Sequence, residues 1–244
     1  KSNIIKLSEE GVYGNLTDEF LKINPNGTVP ALVYKGMPVL ESHEIIEFID
    51  EHLRVNDGDT PRLRPLDVKS RELCDYWCKR GSLGSTGISE DELNEYVGLA
   101  IGILSQPCTV GASANKVNLL ELFWAIPRHP SPMRVLSRFF KRWFDRGLPI
   151  EITRRAFQAV SSVLDEMETH LMTQQQQQQQ QQANNIYFLC GEKYTLADVT
   201  WTANLNRLVD LQYGNIIFKS RPYVKQYWIQ LKERSSYNEA IKTF

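Results

Sequence analysis

Residues 24–42 read NPNGTVPALVYKGMPVLES, and this stretch decides the fold. Asn24-Pro25-Asn26-Gly27 has the composition of a turn. Two apolar runs follow, Ala31–Tyr34 and Met37–Leu40, on either side of Lys35-Gly36, a spacing that predicts a β-hairpin. Proline between a β-branched residue and a strand suits a cis peptide, which costs only about 0.5–1 kcal/mol before proline against roughly 3 elsewhere. A cis bond at Val29-Pro30 turns the Val29 N–H and C=O outward, toward the backbone of a ligand. Ser42 precedes Glu44 and the helically spaced Ile45, Ile46, Ile49 and Leu53, which predicts an N-cap and a helix over 42–53. Such a helix start offers free N–H groups and partial positive charge to a carboxylate. Glu41 beside it offers an anion to an ammonium. Together these groups describe a site for an α-amino acid end joined to an extended peptide.

The arrangement resembles the glutathione-binding half of the glutathione S-transferases, through Asn24-Pro25, Gly27, Val29-Pro30-Ala31-Leu32, Glu41-Ser42 and Ile45-Ile46. The resemblance implies that Val29, ahead of Pro30, pairs in an antiparallel way with the cysteinyl backbone of glutathione, the co-substrate. It implies that Glu41 and Ser42 take the γ-glutamyl group. Asn15 falls where many members place a His or Lys near the glycyl carboxylate. Thr28 stands where many carry Lys or Gln, so that end of the ligand is less well served.

Upstream, NIIKL at 3–7 is a strand candidate, and Thr17 is expected to cap a short helix through Lys22. The resulting order β-α-β-β-α matches the second part of a thioredoxin-like domain. The expected fold is α/β plus all-α: a partial thioredoxin-like domain at 1–54 with its first strand and helix absent, a linker at 55–66, and an all-helical domain at 67–244. The family's missing strand is the central one of its sheet. Without it the neighbouring strands show unpaired backbone groups, at about 1–3 kcal/mol for each one buried. The chain is therefore expected to be an N-terminally incomplete copy of a longer protein.

The helical part has two amphipathic stretches of note, 68–80 and 152–171, the second placing Ile152, Ala156, Val160, Val163, Met167 and Leu171 on one face. Nine glutamines at 174–182 read as a loop expansion. In Tyr194-Thr195-Leu196-Ala197-Asp198, Thr195 is expected to cap a helix while Asp198 reaches back to it. This segment, with Leu189-Cys190-Gly191-Glu192 before it and the ending from Arg221-Pro222-Tyr223 onward, resembles the C-terminal domain of the same family, where the buried Asp serves folding.

Residues 83–150 are an insertion relative to the compact transferases. Its position, the DTPRLRP linker at 59–65 and LCGEKYTLADV at 189–199 are similar to the ganglioside-induced differentiation-associated branch. Within it, MRVLSRFFKRWFDR at 133–146 sets five basic residues against Asp145, interleaved with Met133, Leu136, Phe139, Phe140 and Trp143. Two readings stand: a basic amphipathic helix on a membrane surface or an acidic partner, or a helix whose aromatic face packs on the bundle while its basic face is solvated, which is preferred.

Composition excludes several classes. Lys plus Arg number 28 against 29 Asp plus Glu, a net charge of −1 that gives no global case for nucleic acid. The four histidines form no HExxH or similar cluster, so no metal site is expected. Cys74, Cys78, Cys108 and Cys190 show no CxxC and read as buried thiols packed as small hydrophobes. Cysteine usage favours a reducing, intracellular compartment, with the cytoplasm preferred.

The resemblance implies a homodimeric, detoxifying transferase that lowers the pKa of the glutathione thiol and passes it to a small electrophile. An ordinary thiol is only about 3% thiolate at pH 7. In the family the activating Tyr, Ser or Cys sits in the first strand–helix turn, expected upstream of Lys1, so no catalytic residue is named. Tyr76 and Trp77 are candidates to border the electrophile pocket, with packing in the helical core as the equal alternative. The alternative is a transferase-fold binding or assembly module without turnover.

Overall fold

The computed structural model describes residues 14–54, 62–84, 89–114, 119–128, 132, 149–179 and 188–241. The NIIKL strand, the first residues of the linker, the segment 133–146 and the end of the glutamine run lie outside the described residues. The chain divides into two units, one of 1–53 with 106–149 and one of 54–105 with 150–244. The division cuts the expected insertion at 105/106 rather than leaving 83–150 whole in the helical domain.

In the first unit a 3-10 turn over Gly14–Leu16 leads into α1, Asp18–Ile23. Thr17 caps α1 as expected, its hydroxyl accepting the Phe20 N–H at 3.3 Å. Strands β1 (Ala31–Tyr34) and β2 (Met37–Leu40) form a two-stranded antiparallel hairpin with Ala31 opposite Leu40 and Tyr34 opposite Met37. Helix α2, Ser42–Phe48, packs Ile45 inward. The expected helix over 42–53 ends early as an α-helix: Ile49–Leu53 is a π-turn, with Asp50 buried. A widened turn of this kind rotates the following side chains off the 3.6-residue pattern, which periodicity alone does not register.

The second unit is helical among its described residues. It comprises α3 (Val68–Gly81), α4 (Glu90–Glu95), the first part of α5 (Val97–Ala114), α7 (Ile150–Gln179), α8 (Leu196–Asp210), α9 (Gly214–Ile217), α10 (Pro222–Glu233) and α11 (Ser235–Ile241). Helix α6, Leu119–Arg128, lies in the first unit. The core sits where α3, α7, α8 and α10 meet, around Trp77, Val163, Leu164, Met167, Trp201, Leu205, Val224 and Leu231. Five of the six residues expected on the inner face of α7 are buried there, from Ala156 to Leu171. Helices α3 and α5 approach closely because Gly98 has no side chain: a Cβ there would stand 2.4 Å from the Gly81 carbonyl oxygen, which is backbone and cannot yield.

Three charged groups tie this unit together. Buried Arg221 donates to the Asp165 carboxylate at 2.7 Å, to the Ser161 hydroxyl at 2.6 Å and to the Ile217 carbonyl at 3.0 Å. Glu168 on α7 caps α10 by accepting the N–H groups of Tyr223 and Val224. Asp198 does the same for the start of α8 and is described below.

One expectation needs correction. The glutamine run is helical at least to Gln179, because glutamine is a good helix former and continues the register of α7. The far end of the linker is anchored: the Leu63 carbonyl accepts the Leu196 N–H at 3.0 Å, and Arg64 pairs with Asp75 at 2.9 Å.

Candidate functional site

The loop ahead of β1 is shaped by Asn24, whose side chain is fully buried. Its Nδ2 donates to the carbonyl of Thr28 at 2.8 Å and to the Thr28 hydroxyl at 2.9 Å. Its Oδ1 accepts the Asn26 N–H, and its own carbonyl accepts the Gly27 N–H. One side chain thus closes the loop from inside. Asn15 braces the other side, its Nδ2 donating to the Gly27 carbonyl at 2.6 Å. Gly27 sits at φ 63°, where a Cβ would also press on Leu16 at 3.1 Å.

Beyond that clamp the chain turns outward. The Val29-Pro30 peptide is cis. Val29 is 39% exposed, and among the described residues neither its N–H nor its C=O makes a hydrogen bond. The hairpin register does the rest. Because Ala31 pairs with Leu40, Val29-Pro30 and Glu41-Ser42 leave the sheet side by side at one end. All four residues are exposed.

Glu41, not Ser42, occupies the cap position of α2, and it holds φ 63° with ψ 131°. That conformation is unfavourable for a residue with a Cβ, at about 1–3 kcal/mol, and such outliers cluster at functional sites. Ser42 is therefore the first helical residue, with the Ile45 N–H taken by the Glu41 carbonyl. The N–H groups of Ser42, His43 and Glu44 have no acceptor among the described residues. Glu41 and Ser42 stand side by side at the helix start, with the cap position one residue earlier than expected.

The other expected residues separate. Asn15 and Thr28 are engaged inside the loop, so their side chains build the platform. Asn24 was not expected as a site residue, although the Asn24-Pro25 pair that opens the turn ahead of Gly27 is the signal that marks it. Trp77 is a core residue, 1% exposed and edge-on to Trp201, because its ring fills the space between α3 and α8. Tyr76 is half open and borders a cleft of about 570 Å³ within the second unit, with Leu73, Trp77, Glu166, Thr169, His170 and Thr173. Burial, with the Glu166 carboxylate beside it, raises the Tyr76 phenol above its ordinary value, so it stays a neutral donor to Glu166.

Thr195 and Asp198 behave as the capping pair. One carboxylate oxygen of Asp198 accepts the N–H and hydroxyl of Thr195 at 2.8 and 2.9 Å. The other accepts the Leu189 N–H at 2.9 Å and the Tyr227 hydroxyl at 2.8 Å. Burial pushes the Asp198 carboxyl up to about 6, opposed by these four donors. No cluster of metal-ligating side chains occurs among the described residues.

A two-stranded hairpin entered through a cis proline, closed by a strained acid at a helix start, and joined in sequence to a helical unit with a buried Asp cap, has a known counterpart. The chain has the fold of the glutathione S-transferases. Residues 3–52 match the family described as glutathione S-transferase, N-terminal domain. Glutathione S-transferase U27 of Arabidopsis thaliana is 43% identical over 70 residues, 28% of this chain and 30% of the relative. Glutathione S-transferase U8 of the same plant is 35% identical over 72 residues, again 30% of its length. The aligned stretch thus spans under a third of these transferases. Across almost the whole chain the likeness is one of fold. The β-etherase LigF of Sphingobium sp. strain SYK-6 superposes with a TM-score of 0.71 at 23% identity, covering 95% of this chain and 84% of that one. Ure2p in complex with glutathione gives 0.62 at 18%, covering 93% and 81%.

Proposed function

We propose that the exposed end of the hairpin binds glutathione. The Val29 N–H and C=O pair with the cysteinyl backbone of the ligand. The free N–H groups at the start of α2 and the Ser42 hydroxyl take its γ-glutamyl carboxylate, and Glu41 takes the ammonium. The observation that carries this reading is the register, which brings an unpaired backbone amide and an acid–hydroxyl pair to one edge. The family match over residues 3–52 and the 43% identity to a plant transferase over 70 residues support it. The reaction we assign is transfer of glutathione to a small electrophile, with detoxification as its role, in a cytoplasmic homodimer. We also place the chain near the ganglioside-induced differentiation-associated branch, on the residues quoted above.

Retention on immobilised glutathione tests binding. The wild-type chain is expected to be retained and eluted by free glutathione, and Glu41→Ala to be retained several-fold less. Equal retention by both overturns the role of Glu41. A second reading is binding without turnover, favoured by Asn15 and Thr28 being engaged within the loop. Transfer to a chromogenic aryl halide separates the two: retention without transfer supports the module.

A further inference from the structure

We propose that Asn26-Gly27 is a site of spontaneous deamidation, and that the Asn24 clamp holds it back in the folded chain. Asparagine followed by glycine is the pair in which this reaction is fastest, because glycine puts no side chain in the way of its own backbone nitrogen. Asn26-Gly27 is the single such pair in the sequence. Asn26 is exposed in the turn, and among the described residues nothing engages its side-chain amide. The neighbouring asparagine is protected by its successor. Asn24 precedes Pro25, whose nitrogen carries no hydrogen and cannot close the ring. One turn thus holds an inert asparagine inside and a reactive one outside.

The reaction requires the Gly27 nitrogen to lose its proton and to swing onto the Asn26 side chain. The fold resists both. The Gly27 N–H donates to the Asn24 carbonyl at 2.9 Å, so a nitrogen stripped of that proton would face the lone pairs of the same oxygen. On the other side the Gly27 carbonyl accepts from Asn15 at 2.6 Å. Gly27 itself is buried, at φ 63°. Rotation about the Asn26 Cα–C bond, which brings the nitrogen toward the side chain, pulls against both hydrogen bonds. The Asn26 N–H is tied to the Asn24 side chain at 3.1 Å, and that side chain also holds Thr28. Asn24 therefore braces the reacting pair from both flanks.

Once the turn opens, the steps balance with water as the only co-reactant. The Gly27 nitrogen bonds to Asn26 Cγ, and the side-chain nitrogen leaves as ammonia, taking the Gly27 proton. The product is a cyclic succinimide. Water then opens the ring at either carbonyl. Cleavage of the new N–Cγ bond gives aspartate. Cleavage of the original C–N bond gives isoaspartate, whose main chain runs through Cβ and is one atom longer. With that extra atom the Gly27 N–H no longer meets the Asn24 carbonyl, so the turn does not re-form as it was. The change is one-way, and it needs neither an enzyme nor a bound ligand.

The test is peptide mapping of the full chain held in mildly alkaline buffer, folded and in guanidinium chloride. The tryptic peptide 23–35 is expected to gain one mass unit and to split into two isomers, the isoaspartyl one labelled by an isoaspartyl methyltransferase. Conversion in the folded chain should be at least about tenfold slower than in denaturant, the factor for one hydrogen bond of about 1.4 kcal/mol broken before the transition state. Asn24→Ala, at a temperature where it keeps the parent's helical circular dichroism, should convert several-fold faster than the folded parent. The comparison of the parent in the two buffers stands without any variant. Equal rates in the folded and unfolded parent overturn the proposal, as does a folded Asn24→Ala chain no faster than the parent. Conversion of other asparagines in denaturant while residue 26 stays intact overturns the site itself.

Discussion

Glu41 carries two demands that pull in opposite directions. Its side chain is assigned to a ligand ammonium, yet its backbone holds φ 63°, where a Cβ is unwelcome. Glycine at this position relieves the strain and removes the carboxylate. Glu41→Gly is therefore expected to raise unfolding free energy by about 1 kcal/mol, measured by urea denaturation, and to lower retention on glutathione. Loss of stability instead would show that the conformation is not strained. Asn24 has no such conflict. Asn24→Ala strips donors from the Thr28 carbonyl and an acceptor from Asn26, at a cost of about 1–3 kcal/mol. Because the clamp aims Val29, retention is expected to fall with stability.

At the scale of elements, the cap of α8 is the most exacting feature. Four donors converge on one buried carboxylate, so Asp198→Ala leaves the Leu189 and Thr195 N–H groups and the Tyr227 hydroxyl unpaired. A loss of at least about 3 kcal/mol is expected in urea unfolding at pH 7. Its pH dependence has a definite sign. The folded carboxyl titrates near 6, above the unfolded value of 3.8, so between these values the native state holds a proton that the unfolded chain has released. The contribution of Asp198 is greatest below about pH 4, falls by roughly 3 kcal/mol as pH rises to 6, and is flat beyond. Asp198→Asn should flatten this window relative to the parent chain; an unchanged slope would assign it to other groups.

Elements defined by adjacent residues were readable from the chain alone: the Lys35-Gly36 hairpin, the Thr17 cap, the Thr195–Asp198 pair and the inner face of α7. Each signal lies within a few positions of what it specifies. The positive φ of Glu41 has no such signal, because glycine is the residue that announces that conformation. The π-turn after Phe48 leaves composition unchanged and alters only phase. Tyr227 reaches Asp198 from a helix 29 residues later, and only packing brings them together. Trp77 was open to both pocket and core, since an aromatic residue on an amphipathic helix does not disclose which neighbour covers it, and it both packs on Trp201 and lines the cleft.

For the whole molecule, the two units assign separate duties to separate residues. Arg221 joins α7, α9 and α10 in the second unit, and none of its partners belongs to the hairpin end. Arg221→Ala orphans the Ser161 and Ile217 acceptors and is expected to cost about 2–4 kcal/mol. Measured in the cold, where the variant stays folded, its retention on glutathione should equal that of the parent. A matching loss would show that binding depends on the helical unit.

The Leu189 peptide lies between two helices. Its N–H is held by Asp198, and its carbonyl accepts from His170 at 2.8 Å and Gln174 at 3.1 Å. Gln174 is the first glutamine of the run, four residues after His170, so both attachments precede every later member of the tract. Adding or deleting glutamines downstream leaves the spacing of His170 and Gln174 untouched. Repeat number is thereby uncoupled from the helix junction, and copies of this gene differing in glutamine count should encode equally stable helical units.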